Sequence, residues 1–155
     1  MEDEKKIISL LYANPIFSKL GIEDMKKIMN FLELVSYKKG DVIFREGDIG
    51  DSVYFIVKGS VGIYKKKNFF GISRDVKLFE LRCPEALGEL SIFDNFLRSA
   101  TAVAESDCEL LKLTRNSFVE MEKSDHRVAY HITRSILMIV AKRLRKTTEE
   151  LVKFM

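Results

Sequence analysis

Apolar residues change their period twice along this chain of 155 residues. Near the N-terminus Ile7, Leu10 and Leu11 recur at helical spacing until Pro15 interrupts them. Met25, Ile28, Met29 and Leu32 share one helical face, which predicts a second helix from about Glu23 to Leu32. From Leu34 onward the chain breaks into short β-prone runs at Val35–Tyr37, Val42–Phe44, Val53–Val57 and Val61–Tyr64. Glycines 40, 47, 50, 59 and 62 punctuate them where turns call for positive φ. Two further runs, Val76–Leu81 and Thr101–Leu113, complete a set whose spacing predicts a sandwich or barrel. Lys65, Lys66 and Lys67 read as an exposed hairpin turn between strands. The C-terminal part is helical again, with Ile132, Ile136, Ile139, Val140, Arg143, Thr147, Leu151 and Phe154 along one broad stripe.

This order predicts an α+β, mainly β fold in a single domain over 1–155. N-terminal helices occupy 1–32, a β-roll 33–114, and C-terminal helices 115–155. Hydrophobic residues make up 46% and charged residues 32%, the composition of a globular chain rather than a disordered one. A net charge of +3 is too small to imply nucleic-acid binding by itself. Cys83 and Cys108 form neither a short-spaced metal motif nor a disulfide framework. The N-terminus lacks a signal-peptide layout, and the longest apolar run, near Ile136–Ala141, is too short to span a bilayer. The expected location is the cytoplasm.

Candidate chemistry concentrates in LGELSIFDNFLRSA, residues 87–100. A Gly-Glu pair ends one strand, an apolar turn follows, and Arg-Ser-Ala opens the next. The start of a helical turn and its free N–H groups favour an anion. Arg98, nine residues after Glu89, can reach the same spot with a planar fork of donors. Ser99 adds a hydroxyl, and Glu89 is an acceptor suited to a sugar hydroxyl. These residue types describe a site for one phosphate and one ribose. They equally allow Glu89 and Arg98 to pair with each other in a structural salt bridge, and the residues alone leave both readings open.

This stretch resembles the phosphate-binding cassette of the cyclic-nucleotide-binding domain family, here residues 87–101. The upstream segment IFREGDIGDSVYFIVKG, residues 43–59, resembles that family's other signature. The resemblance covers about Asn14 to the C-terminus and implies a jelly-roll-like β-roll with flanking helices. It implies that Glu89 accepts the ribose 2′-hydroxyl and that Arg98 holds the exocyclic phosphate oxygens. Gly88, Leu90, Ser91, Ser99 and Ala100 then line the ligand. Phe44 stands where a smaller residue is usual, Leu97 where many members have proline, and Pro84 where glycine is common. These departures bear on loop shape and touch no polar ligand contact.

AKRLRKTTEELV, residues 141–152, resembles the central helix of the catabolite activator branch of that family. The resemblance implies that Thr147 and Thr148 contact an adenine amino group, one of them from a partner subunit. Cyclic AMP is therefore the expected ligand, with cyclic GMP left open by the Ser99 hydroxyl. No other cofactor and no catalytic or metal-ligating residue is assigned. His126 and His131 are off the spacing for one helical face, and no GxSxG or P-loop pattern is present. The expected reading is a stand-alone, non-catalytic sensor whose C-terminal helix shifts on binding, a homodimer through that helix, with a protein effector not identified. With no recognition helix to draw after residue 155, direct DNA binding is not expected. The rival classes are a ligand-free module of the same fold that dimerises or docks a partner, and a nucleic-acid regulator using Lys142, Arg143, Arg145 and Lys146.

Overall fold

Two antiparallel sheets of four strands face one another, and helices cover the outer side of one of them. The computed structural model describes residues 2–155. Helices α1 (Glu2–Ala13) and α2 (Ile22–Met29) lead into strands β1 (Glu33–Tyr37), β2 (Val42–Phe44), β3 (Ser52–Lys58), β4 (Ser60–Phe69), β5 (Ile72–Arg82) and β6 (Ala86–Leu87). A 3-10 turn, Glu89–Ile92, precedes β7 (Thr101–Ala104), β8 (Cys108–Thr114), α3 (Arg115–Ser124) and α4 (His126–Lys153). The sheet orders are β1-β8-β3-β6 and β2-β7-β4-β5. The expected mainly-β roll with flanking helices is what the chain forms.

Strand β3 shows why one run lacks hydrophobic alternation. Its side chains point alternately to opposite faces, and both faces are buried. Val53 and Phe55 join Leu11, Phe17, Met25, Ile28, Leu111, Leu113, Met121 and Ile132 in a core between sheet and helices. Tyr54 and Ile56 join Val61, Ile63, Leu81, Leu87, Ala102 and Leu110 in a second core between the sheets.

Helix α4 starts at Asp125, whose carboxylate accepts from the Val128 N–H at 3.2 Å, an N-cap that satisfies one orphan donor. Val128, Ala129, Ile132 and Ile136 bury its first half against the first core. Beyond Ile139 and Val140 the apolar footing ends, and from Leu144 to Met155 every residue is exposed.

Three expectations on element bounds need correction. Lys65, Lys66 and Lys67 are not a turn; they lie within β4, and the turn is at Phe70 and Gly71. Past Tyr64 the β4–β5 ribbon leaves the sheet and is exposed on both faces, so its residues need no apolar alternation. Helix α2 stops at Met29, and Phe31 and Leu32 continue in tighter turns onto Ile28 and Met29 carbonyls. The run Thr101–Leu113 is two strands, split where Glu105 N donates to Ser60 O at 2.9 Å.

Candidate functional site

Strand β6 delivers the chain to Gly88, whose φ of +67° reverses it into the 3-10 turn. That left-handed conformation suits glycine, and a Cβ here would stand 2.1 Å from Arg98 Nη1. Ser91 N donates to Gly88 O at 3.1 Å inside the turn. From outside, Arg115 of α3 donates to the carbonyls of Gly50, Ser91 and Asp94. Charge-assisted bonds of this kind are the stronger class. They tie the turn to the loop between β2 and β3.

Arg98 lies on the return leg, where its own N–H donates to Asp48 O at 2.8 Å. Its side chain is turned inward and is only 5% exposed. Nη2 donates to Ser52 O at 2.8 Å, and Nη1 to Ser91 Oγ at 2.9 Å and Gly88 O at 3.4 Å. The Phe44 ring centroid is 4.2 Å from Cζ. Buried Nε has no partner, and no carboxylate of the described residues is ion-paired with this guanidinium. Burial pulls Arg98 below the usual arginine range. A buried cation without an ion-pair partner is costly; here neutral acceptors and an aromatic face contact it, and the Asp51, Asp48 and Glu89 carboxylates act on it from beyond ion-pair distance.

Glu89 does not pair with Arg98. It is buried, and its Oε1 accepts from Arg143 Nη1 of α4 at 2.5 Å, while Arg143 Nη2 donates to Ala86 O at 2.8 Å. Among the described residues Glu89 Oε2 accepts no hydrogen bond, and Arg143 Nε is buried without a partner. Of the two readings the motif left open, the closed Glu89–Arg98 pair is therefore not formed. Between the two groups lies a cavity of about 410 Å³, within the roughly 300–1,000 Å³ typical of small-ligand sites. Its polar end is Glu89, Ser91, Arg98 and Arg143; its apolar walls are Phe44, Ile63, Phe79, Leu81 and Leu87. A carboxylate acceptor, an unneutralised cation and an apolar wall suit a molecule that joins an anionic group, a hydroxyl and a flat apolar face.

Gly88, Glu89, Leu90, Ser91, Arg98, Ser99 and Ala100 all line this one cavity. Thr147 and Thr148 are not brought to it: both are exposed, and their hydroxyls donate at 2.9 Å to the carbonyls of Arg143 and Leu144. His131 Nε2 lies 3.1 Å from Ile16 O, a backbone contact. Sequence reasoning missed Arg143, grouped above with Lys142, Arg145 and Lys146 as a basic cluster. Its signal was present, since Ile136, Ile139 and Arg143 step along the inward face by three and four residues. Arg115 gave no such signal, because its partners are carbonyls.

A family model described as "Cyclic nucleotide-binding domain" matches residues 34–125. The "Cyclic AMP receptor protein" of Thermus thermophilus is 31% identical over 139 residues, covering 90% of this chain and 61% of that protein. A "cAMP-dependent protein kinase regulatory subunit" of Eremothecium gossypii is 33% identical over 120 residues, covering 76% of this chain and 24% of that subunit. The chain thus spans less than two thirds of these relatives' lengths. A crystal structure of a cyclic nucleotide-binding domain from Methylobacillus flagellatus superposes with a TM-score of 0.83 over 99% of this chain and 85% of that one. Its identity is 18%, and the likeness is one of fold.

Proposed function

The chain belongs to the cyclic nucleotide-binding domain family, and from that premise we propose that it is a cyclic AMP sensor with a regulatory rather than a catalytic role. The observation that carries this reading is Arg98, a buried guanidinium that ion-pairs with no carboxylate of the described residues, facing a cavity that also holds an acceptor carboxylate. The exocyclic phosphate supplies the missing charge at Arg98. The ribose 2′-hydroxyl donates to Glu89 Oε2, the oxygen that Arg143 leaves free. The base lies against the apolar walls. Curated relatives named for cyclic AMP support that nucleotide over cyclic GMP.

Helix α4 is the moving part. Its distal half rests on the cavity through Arg143, which joins Glu89, so occupancy of Glu89 is felt by the helix. Thr147, one turn beyond Arg143, meets the base as the helix closes. Tyr130, Leu137, Leu144 and Leu151 recur every seven residues and are exposed, the pattern of a coiled-coil seam. Thr148, four residues after Leu144, shares that outward face, which supports a homodimer in which it reaches the neighbouring ligand. Free Cys83 and Cys108 fit a reducing, cytoplasmic setting. No helix among the described residues is long and apolar enough to cross a membrane.

Calorimetric titration with cyclic AMP and cyclic GMP tests the assignment. Saturable binding with cyclic AMP preferred is the expected result. Absence of heat and of thermal stabilisation with either nucleotide overturns it.

A further inference from the structure

The β4–β5 ribbon carries a second feature, which the cavity does not use. Strand β4 pairs with β7 only over Val61–Tyr64, Lys65 and Lys66 are still bonded to Ser99 O and Glu46, and the three cross-strand pairs from Lys67↔Arg74 to Phe69↔Ile72 stand clear of the body. At about 3.3 Å per residue this arm projects roughly 10 Å. Its apex is apolar: Phe70 is fully exposed, and Phe69 and Ile72 beside it are 44% and 59% exposed.

The turn residue makes this apex conspicuous. Phe70 has φ 52° and Gly71 φ 81°, positive φ at both central positions of a two-residue hairpin. Such turns favour Asn-Gly, and a bulky side chain in that conformation is an outlier. The chain thus accepts an unfavourable backbone conformation and an unfavourable exposure at the same residue.

Behind the apex lies a cationic collar. Lys67 stands directly across from Arg74, a like-charge pair that opposes strand pairing. Lys66, Lys67 and Arg74 ion-pair with no carboxylate of the described residues; Asp75, across from Lys66, lies outside ion-pair distance. The Lys67 ammonium sits 5.8 Å from the Phe69 ring centroid, so ring and charge lie on one face. Lys67 and Arg74 are two residues behind Phe69 and Ile72, about 7 Å along the ribbon.

We propose that this hairpin is a docking element for an anionic lipid surface. The apex is convex and needs a yielding apolar medium rather than a preformed protein pocket. Aromatic rings reach about 5–10 Å into the headgroup–acyl boundary, and a collar set about 7 Å back meets the phosphates there. The opposed Lys67 and Arg74 are relieved by lipid phosphates and carboxylates. Contact of this kind is peripheral and crosses no bilayer. It is independent of the nucleotide cavity, so either assignment can fail without the other.

Co-sedimentation of the full chain with vesicles provides the test, without nucleotide. Binding to mixed phosphatidylcholine–phosphatidylserine vesicles, lost on phosphatidylcholine alone and in high salt, is expected. Phe70→Asn keeps a turn sequence the conformation prefers, so the fold survives, and it lowers partitioning about tenfold. Lys67→Gln and Arg74→Gln each lower it about fivefold. No wild-type binding to the mixed vesicles, or equal binding by Phe70→Asn, overturns the proposal. Dissociation of an oligomer by Phe70→Asn in sedimentation velocity assigns the apex to a second copy and overturns it as well.

Discussion

Replacing Arg98 with alanine separates a ligand-gripping cation from a structural one. Arg98 has three neutral acceptors, one aromatic neighbour, an unpartnered Nε and no ion pair with a carboxylate of the described residues. Its removal from the fold therefore involves two opposed effects. Ser52 O and Ser91 Oγ lose the bonds from Arg98, at about 1–3 kcal/mol for a buried acceptor left unsatisfied, Gly88 O keeps its bond from Ser91 N, and the desolvation of a buried charge, several kcal/mol, is removed. The apo stability of the variant is expected to change little. Binding has no such compensation. Loss of the charge that meets the phosphate costs about 2–5 kcal/mol, raising Kd at least thirtyfold. At cyclic AMP equal to about 100 times the wild-type Kd, linkage adds about 2.7 kcal/mol to the wild type. At about 2–4 °C per kcal/mol for a chain of this size, Tm rises by about 5–11 °C. The variant at the same concentration gains about 0.9 kcal/mol at most, a rise of no more than about 2–4 °C. Calorimetry and thermal melts with and without ligand measure both quantities. An Arg98→Ala protein that binds cyclic AMP as the wild type does, or that cannot fold without this side chain, refutes the reasoning.

Three further perturbations probe the same frame. Arg143→Ala removes two charge-assisted bonds; hydrogen exchange in α4 beyond Ile139 should accelerate, and cyclic AMP affinity should fall about tenfold as Glu89 loses its anchor. Unaltered exchange in that segment would show that Arg143 does not hold the helix. Gly88→Ala places a Cβ against Arg98 Nη1 and incurs about 1–2 kcal/mol for a left-handed residue. Urea midpoint and affinity should drop together, and a variant that loses neither contradicts the placement of Gly88. Burial pushes the Tyr54 and Tyr37 hydroxyls above their ordinary value. The folded state then holds their protons more tightly than the unfolded one, so this stabilisation is complete below about pH 10 and lost as pH rises through the folded values. Urea midpoints should fall in that alkaline window, less steeply for Tyr54→Phe, and parallel slopes for the two proteins would discount Tyr54 as a contributor.

Much of this was legible because it obeys local rules. Period-two and helical runs gave the element order, and Gly88, Glu89 and Arg98 sit in one short segment whose turn brings them together. What local pattern could not give was the partner of Glu89. Arg98 is nine residues away in the chain and Arg143 is fifty-four away, and only tertiary packing of α4 decides between them. The lysines of β4 misled for a related reason. A charged, exposed run suggests a turn, yet a two-stranded arm is exposed along most of its length and is still β-structure. The α4 stripe is one face in two environments. Ile132 and Ile136 are buried in the core, while Leu151 and Phe154, further along, lie past the end of the body and meet solvent. A periodic stripe records which residues share a side, not how far along the helix a neighbour extends.

The proposed coupling from cavity to helix needs only a small free energy, and the contacts of Arg143 are of that size. Leu144 to Met155 has no buried residue, so little besides Arg143 fixes the angle of distal α4 to the roll. Contacts of Arg143 with Glu89 and Ala86 are charge-assisted bonds worth about 1.5–3 kcal/mol. A ligand that strengthens or weakens them by that amount shifts an equilibrium between two helix positions about 10- to 150-fold. In the proposed binding mode Arg98 makes the shift ligand-dependent, since the phosphate meets a guanidinium that ion-pairs with no carboxylate of the described residues. On this proposal phosphate and ribose act on different residues, and a cyclic nucleotide lacking the 2′-hydroxyl should keep its grip on Arg98 while losing most of its effect on α4. Hydrogen exchange with 2′-deoxy cyclic AMP at saturation reads that separation directly: protection across the Glu89–Arg98 turn with none gained beyond Arg143 is the expected pattern. Equal protection of α4 by both nucleotides would place the coupling elsewhere than Glu89.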